Sequence, residues 1–275
     1  EIGVRLVGSE MCIRDSIKTE KMETLVNSNA MKVNLPDMNA YVYIREQNGE
    51  DDDILSNPIK SETLSNFSEF ISRIVVDTNL TPNRKLTEQQ AHELPCNIRY
   101  AILIASRIFS LGQVMEFEYT WPNGDKIRYE QDLKELLFDD YHQSPTEEEL
   151  NAKPFAVPYY PFGNTKNFTI TLQSGKEVSY SLLTGKGEAM MMNTPVKTKN
   201  LELKARDLKL KVGDKWETVQ SFALFSPRDM AEIRKSVAEN DPYYTGLIEL
   251  EHPTKGYKAG FSIMGTPDFF YIAGY

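Results

Sequence analysis

Apolar and polar positions along the chain follow two rhythms. From Ala40 to Arg45, Tyr41 and Tyr43 alternate with Val42 and Ile44, a period of two that predicts a strand. Asn48-Gly49 then turns the chain. Glu50, Asp51, Asp52 and Asp53 stand where a short helix would begin, and carboxylates there suit the exposed N–H groups and positive pole of a helix. The same four acids are a candidate for a divalent cation, but adjacent helical side chains diverge and do not converge as calcium-loop ligands do. Phe67, Phe70, Ile71, Ile74 and Val75 change to the helical period, with Ser61, Thr63 and Ser65 as candidate caps. A further helical stretch opens at Thr87 and breaks at Pro95. It resumes through Ile98, Ala101, Ile102, Ala105, Ile108 and Phe109. Ile104 widens this stripe, so the helix is expected to be central, with Gly112 as its stop.

The period of two then returns four times. Met115, Phe117, Tyr119 and Trp121 alternate with polar residues up to Pro122-Asn123-Gly124, which predicts a hairpin. Phe168, Ile170 and Leu172 are expected to face Val178, Tyr180 and Leu182 across Ser174-Gly175-Lys176 in a second. A third turns at Gly213-Asp214, and a last one runs through His252 to Gly256. Short helices are predicted from Thr146 to Leu150 and through Met190 to Met192. A capped helix is predicted from Ser226, with Pro227 in its first turn and Pro242 as its stop. The Pro-flanked aromatics of 153–165 cannot form regular structure and read as a linker between 33–152 and 166–275. The class is α+β, with antiparallel β-hairpins and a central helical segment. The aromatic end, Phe269 to Tyr275, reads either as a last core strand or as a docking segment.

Residues 1–16 fit neither rhythm. The string ATG TGT ATA AGA GAC AG, completed by one base, encodes Met11-Cys12-Ile13-Arg14-Asp15-Ser16, and CTC GTG GGC TCG GAG encodes Leu6-Val7-Gly8-Ser9-Glu10. Both are sequencing-adapter strings, so 1–16 are expected to be translated adapter without packed contacts and 17–32 a flexible start. Met22 and Met31 are candidate start residues, with folded structure from about Val33. Setting 1–16 aside removes Arg5 and Arg14 against Glu1, Glu10 and Asp15, which moves the formal net charge of −9 by one unit. It also leaves Cys96 as the remaining thiol, and one thiol makes neither an intrachain disulfide nor a thiolate zinc site. A reducing compartment fits. The acidic balance argues against nucleic acid as a partner, and no apolar run approaches the length that spans a membrane. The lysines from Lys197 to Lys215 alternate with apolar residues and acids, as on a solvated strand face.

The expected catalytic, cofactor and metal sites are none. Gly175-Lys176 and Gly185-Lys186 resemble phosphate loops only in the pair itself. Tyr180 stands where the second would need its leading Gly, and Glu177 and Gly187 stand where Ser or Thr should follow Lys. His92-Glu93 lacks the second His of a zinc-protease helix, because position 96 is Cys. Cys96 follows Pro95 within an apolar stripe, as a buried structural thiol would. His92, His142 and His252 share no ligand spacing.

In order, "IREQNGEDDDILSNP", "RYAILIASRIFSLGQVMEFEYTWPNGDK", "FTITLQSGKEVSYSLLTGKGE", "SFALFSPRDMAEIRKSVAENDP" and a terminal hairpin leading to "DFFYI" form a recognisable set. From Val33 to Ile272 the chain resembles the T-even-type bacteriophage baseplate protein family, which is linked to assembly of the baseplate hub at the phage tail tip. Many members carry Cys-Pro-x-Cys-Gly knuckles at two hairpin tips that look zinc-binding. Here Trp121-Pro122-Asn123-Gly124 is one residue short and has no Cys, and His252-Pro253-Thr254-Lys255-Gly256 carries His and Lys in place of thiolates. Lys has no lone pair at neutral pH and zinc takes about four ligands, so metal is not carried over. Trp121 is expected to supply packing in its place. The resemblance implies a viral baseplate component or assembly chaperone, not an enzyme. Its partners would be other phage tail or baseplate proteins, not nucleic acid or membrane, met in the bacterial host cytoplasm during virion assembly or in the finished baseplate.

Overall fold

The structure, a computed structural model, describes residues 30–35, 40–137, 167–196, 198–241, 247–265 and 269–270. The chain is α+β. Strands β1 (Ala30–Leu35), β2 (Ala40–Arg45) and β3 (Val75–Thr78) form an antiparallel sheet with β2 in the middle. Both faces of β2 are covered, so Tyr41 and Tyr43 are buried along with Val42 and Ile44. Helix α1 (Gly49–Leu55) uses the acids as a helix start. Asn48 caps it, Asp51 completes the capping box, and the Asp51 carboxylate also accepts two bonds from Arg45 at 2.7 and 2.9 Å.

The amphipathic helix differs from its expected start. Ser61, Thr63 and Ser65 do not cap it. Pro58 opens a separate short helix, α2 (Pro58–Glu62), capped by Asn57, and Leu64 stands before α3 (Ser65–Ile74) at φ 55 without a side-chain cap. Val75 belongs to β3 and not to α3, because the β-branched pair Val75-Val76 passes onto the sheet beside β2. Helices α4 (Glu88–Glu93) and α5 (Cys96–Leu111) follow the pattern. Thr87 and Gln90 close a capping box, Pro95 separates the two, and Gly112 ends α5 at φ 96. Helix α5 is buried around its whole circumference from Ala101 to Ala105, as a turn with apolar residues all round must be.

Strands β4 (Val114–Thr120) and β5 (Lys126–Asp132) form one two-stranded sheet, and β10 (Leu247–Glu251) and β11 (Lys258–Ser262) another. The two middle hairpins are not separate. Strands β6 (Asn167–Thr171), β7 (Glu177–Ser181), β8 (Lys209–Val212) and β9 (Lys215–Thr218) make one four-stranded antiparallel sheet, because Val178 of β7 pairs with Leu210 of β8. Phe168 and Ile170 face Tyr180 and Val178 as expected, but β7 stops at Ser181, so Leu183 and not Leu182 is the buried leucine. Between β7 and β8 lie α6 (Gly185–Asn193), which contains Met190 to Met192, and the short α7 (Leu201–Ala205). Helix α8 (Pro227–Asn240) has the predicted Ser226 cap and Pro227, and it packs Met230, Ile233 and Val237 with Leu172, Val178 and Tyr180.

Two hydrophobic clusters result. The second is the four-stranded sheet with α8. The first contains β1 to β3, α5 and both two-stranded hairpins, so β10 and β11 pack with residues from early in the chain. Phe269 and Phe270 are buried in it, Phe270 against Phe67 and Phe70 and Phe269 against Phe270, and the two do not form a strand. A polar seam joins the clusters. Pro95 bridges Thr184, Cys96 N–H donates to Leu183 O at 2.7 Å, and Gly185 N–H donates to Leu94 O at 3.1 Å. The expectations for residues 1–16, Met22, the Thr146 helix, the 153–165 linker, His142 and the end beyond Phe270 fall outside the described residues.

Candidate functional site

The two hairpin tips without Cys meet each other. Alternation on β4 and β5 turns Met115, Phe117, Tyr119 and Tyr129 to one face, and that face lies against Phe261 of β11. The Phe117 and Phe261 rings stack with centroids 4.7 Å apart, and Tyr119 meets Phe261 edge-on at 5.5 Å. This pairing brings the tips together. Trp121, 2% exposed, stands 5.1 Å from the His252 ring and 6.3 Å from Tyr257. Its Nε1–H donates to Tyr129 Oη at 3.0 Å, and Tyr129 O–H donates to Glu251 O at 3.1 Å, which ties one hairpin to the other.

Each tip is closed in the same way, with one residue of difference. In the first, Trp121 N–H donates to Asp125 O and Gly124 N–H donates to Trp121 O. In the second, His252 N–H donates to Tyr257 O and Gly256 N–H donates to His252 O. Gly124 at φ 87 and Gly256 at φ 63 occupy the left-handed region that a side chain disfavours, which is why both tips keep glycine.

The ionic contact between the tips centres on Asp125. Its Oδ2 accepts from Lys255 Nζ at 2.7 Å, His252 Nε2 at 3.1 Å and Asn123 Nδ2 at 2.7 Å. Lys255, then His252 and Asn123, hold the carboxyl down at about 2. The backbone N–H of Thr254 donates to His252 Nδ1 at 3.3 Å, which leaves the ring proton on Nε2, facing Asp125. The Lys255 ammonium is thus taken up by a carboxylate. Among the described residues, no group of three His, Cys, Asp or Glu is placed to hold a metal ion.

The other singled-out residues lie apart from the tips. Cys96 is buried, and burial followed by Glu188 raises its thiol well above the usual range, so it is protonated at neutral pH and a poor nucleophile. Gly175 turns the β6–β7 hairpin, and Lys176 donates to Asp229 at 3.1 Å. Gly185 and Lys186 open α6 against Arg99, and His92 bonds Ser68. Sequence reasoning missed Asp125 and Arg99. Asp125 gives no local signal beyond a turn position, and Arg99 lies in a stripe whose apolar neighbours announced burial but not charge. No family model, no curated protein and no solved structure matches the chain.

Proposed function

We propose that the protein is a component or assembly factor of a bacteriophage tail baseplate, at or near the hub, acting through contacts with other tail proteins. The observation that carries this reading is the mutual docking of the two Pro/Gly tips. The family it resembles places knuckles at two such tips. In this chain they meet through Trp121, His252, Asp125 and Lys255. Exposed surface is also available for docking: Tyr257 at the tip is half exposed, and Trp216 lies exposed on β9, an edge strand of the four-stranded sheet.

Mass spectrometry of purified virions and of tail intermediates from infected cells tests the reading. Presence in virions is expected of a structural part. Presence in intermediates alone makes it an assembly chaperone that leaves the finished particle. Absence from both contradicts the proposal.

A further inference from the structure

Ser68 of α3, His92 of α4, Arg99 of α5 and the start of α6 meet at the seam between the two clusters. Arg206, also fully buried, is paired with Asp241 and Glu202. Arg99 Nη1 instead donates to two neutral acceptors, Ala91 O at 2.6 Å and Ser68 Oγ at 3.0 Å, while its Nη2 is buried without an acceptor among the described residues. The guanidinium lies against Gly185, where a Cβ would stand 2.6 Å from Cζ.

Ser68 Oγ also lies 3.0 Å from His92 Nδ1. Oγ already accepts from Arg99, so the Ser68 proton goes to His92 Nδ1. The reverse arrangement would leave a fully buried hydroxyl without an acceptor. His92 is therefore neutral, with its proton on Nε2. A second proton turns Nδ1 into a donor and strands the Ser68 hydroxyl. It also sets a third cation beside Arg99 of α5 and Lys186 of α6, opposed by Glu93 on α4 itself, while α3 presents the Ser68 hydroxyl.

We propose that this cluster is an acid-operated release: a proton on His92 loosens the seam between α4 and α6 through which the second core is fastened to the first. Burial, then Arg99 and Lys186, lower the imidazole from its ordinary 6.5. For a lowered histidine, the stabilisation is complete above 6.5 and is lost as pH falls from there through the folded value.

Hydrogen exchange at the Cys96 and Gly185 amides, both of which bond across the seam, reads the release in the full chain. After correction for intrinsic rates, protection should fall as pH drops below the ordinary 6.5, by no more than about tenfold per unit, the limit for one proton. His92→Gln, which accepts from Ser68 without titrating, should show no such fall. Constant protection in the unaltered chain, or an equal fall in the variant, overturns the proposal. The His92 ring proton followed by NMR in the unaltered chain serves if the variant does not fold. A midpoint below 6.5 supports the release, and one at or above 6.5 overturns it.

Discussion

Trp121→Ala is the sharpest perturbation of the paired tips. The substitution removes a side chain that is 2% exposed and packs against Tyr119, His252 and Tyr257. It also removes the Nε1–H donor to Tyr129. Buried Trp→Ala substitutions cost about 3–5 kcal/mol through lost burial and residual cavity. The tip leans toward the lower end, because neighbouring Tyr257 is half exposed and free to collapse inward. At about 2–4 °C per kcal/mol for a chain of this size class, the melting temperature should fall by about 6–20 °C. Urea titration gives the free energy directly, with unchanged slope if the folded state stays intact. Trp121→Phe should cost about 1 kcal/mol, largely through the lost donor. Combining Trp121→Ala with His252→Ala should reveal a coupling of about 0.5–1.5 kcal/mol. A loss below about 1 kcal/mol for Trp121→Ala would refute the packing of the tips.

Gly187→Ala should destabilise by about 1–3 kcal/mol in spite of alanine's better helix propensity, because the new Cβ would stand 2.7 Å from the backbone oxygen of Ala205. Gly49→Ala, with nothing within 4 Å, should be neutral or slightly stabilising in the same denaturation assay. Ser226→Ala removes the acceptor for Asp229 N–H at 3.1 Å and should cost about 0.5–2 kcal/mol by urea titration. Asp125 is lowered to about 2 from 3.8, so its contribution is complete above 3.8 and is lost as pH falls from there toward 2. Asp125→Asn should therefore be less stable than the unaltered chain at neutral pH, with the difference shrinking across that window; a difference independent of pH would count against the Lys255–Asp125–His252 contact.

Local chemistry made much of this fold legible. Thr87, Pro95, Gly112 and Ser226 act at the element ends where the sequence puts them, because caps and breakers work over a few residues. The hairpins were legible for the same reason, since alternation and a Gly turn suffice to specify them. What the sequence hid depends on contacts between distant segments. Val75 has the helical spacing but is drawn onto β2, and Leu64 begins α3 without any capping side chain. Nothing local tells β7 to pair with β8, or β10 and β11 to pack beside β4 and β5. The tips themselves were legible as Pro/Gly turns. Their meeting was not, because Asp125 and Lys255 lie 130 positions apart. Arg99 was hidden by its apolar neighbours, which conceal how a buried charge is satisfied.

A role in the tail baseplate through protein contacts is tested most directly by sequencing the genes on either side of this one. Neighbours that encode phage tail and baseplate proteins, in a contiguous late-gene block, are expected. A setting among genes of ordinary cellular metabolism would contradict it.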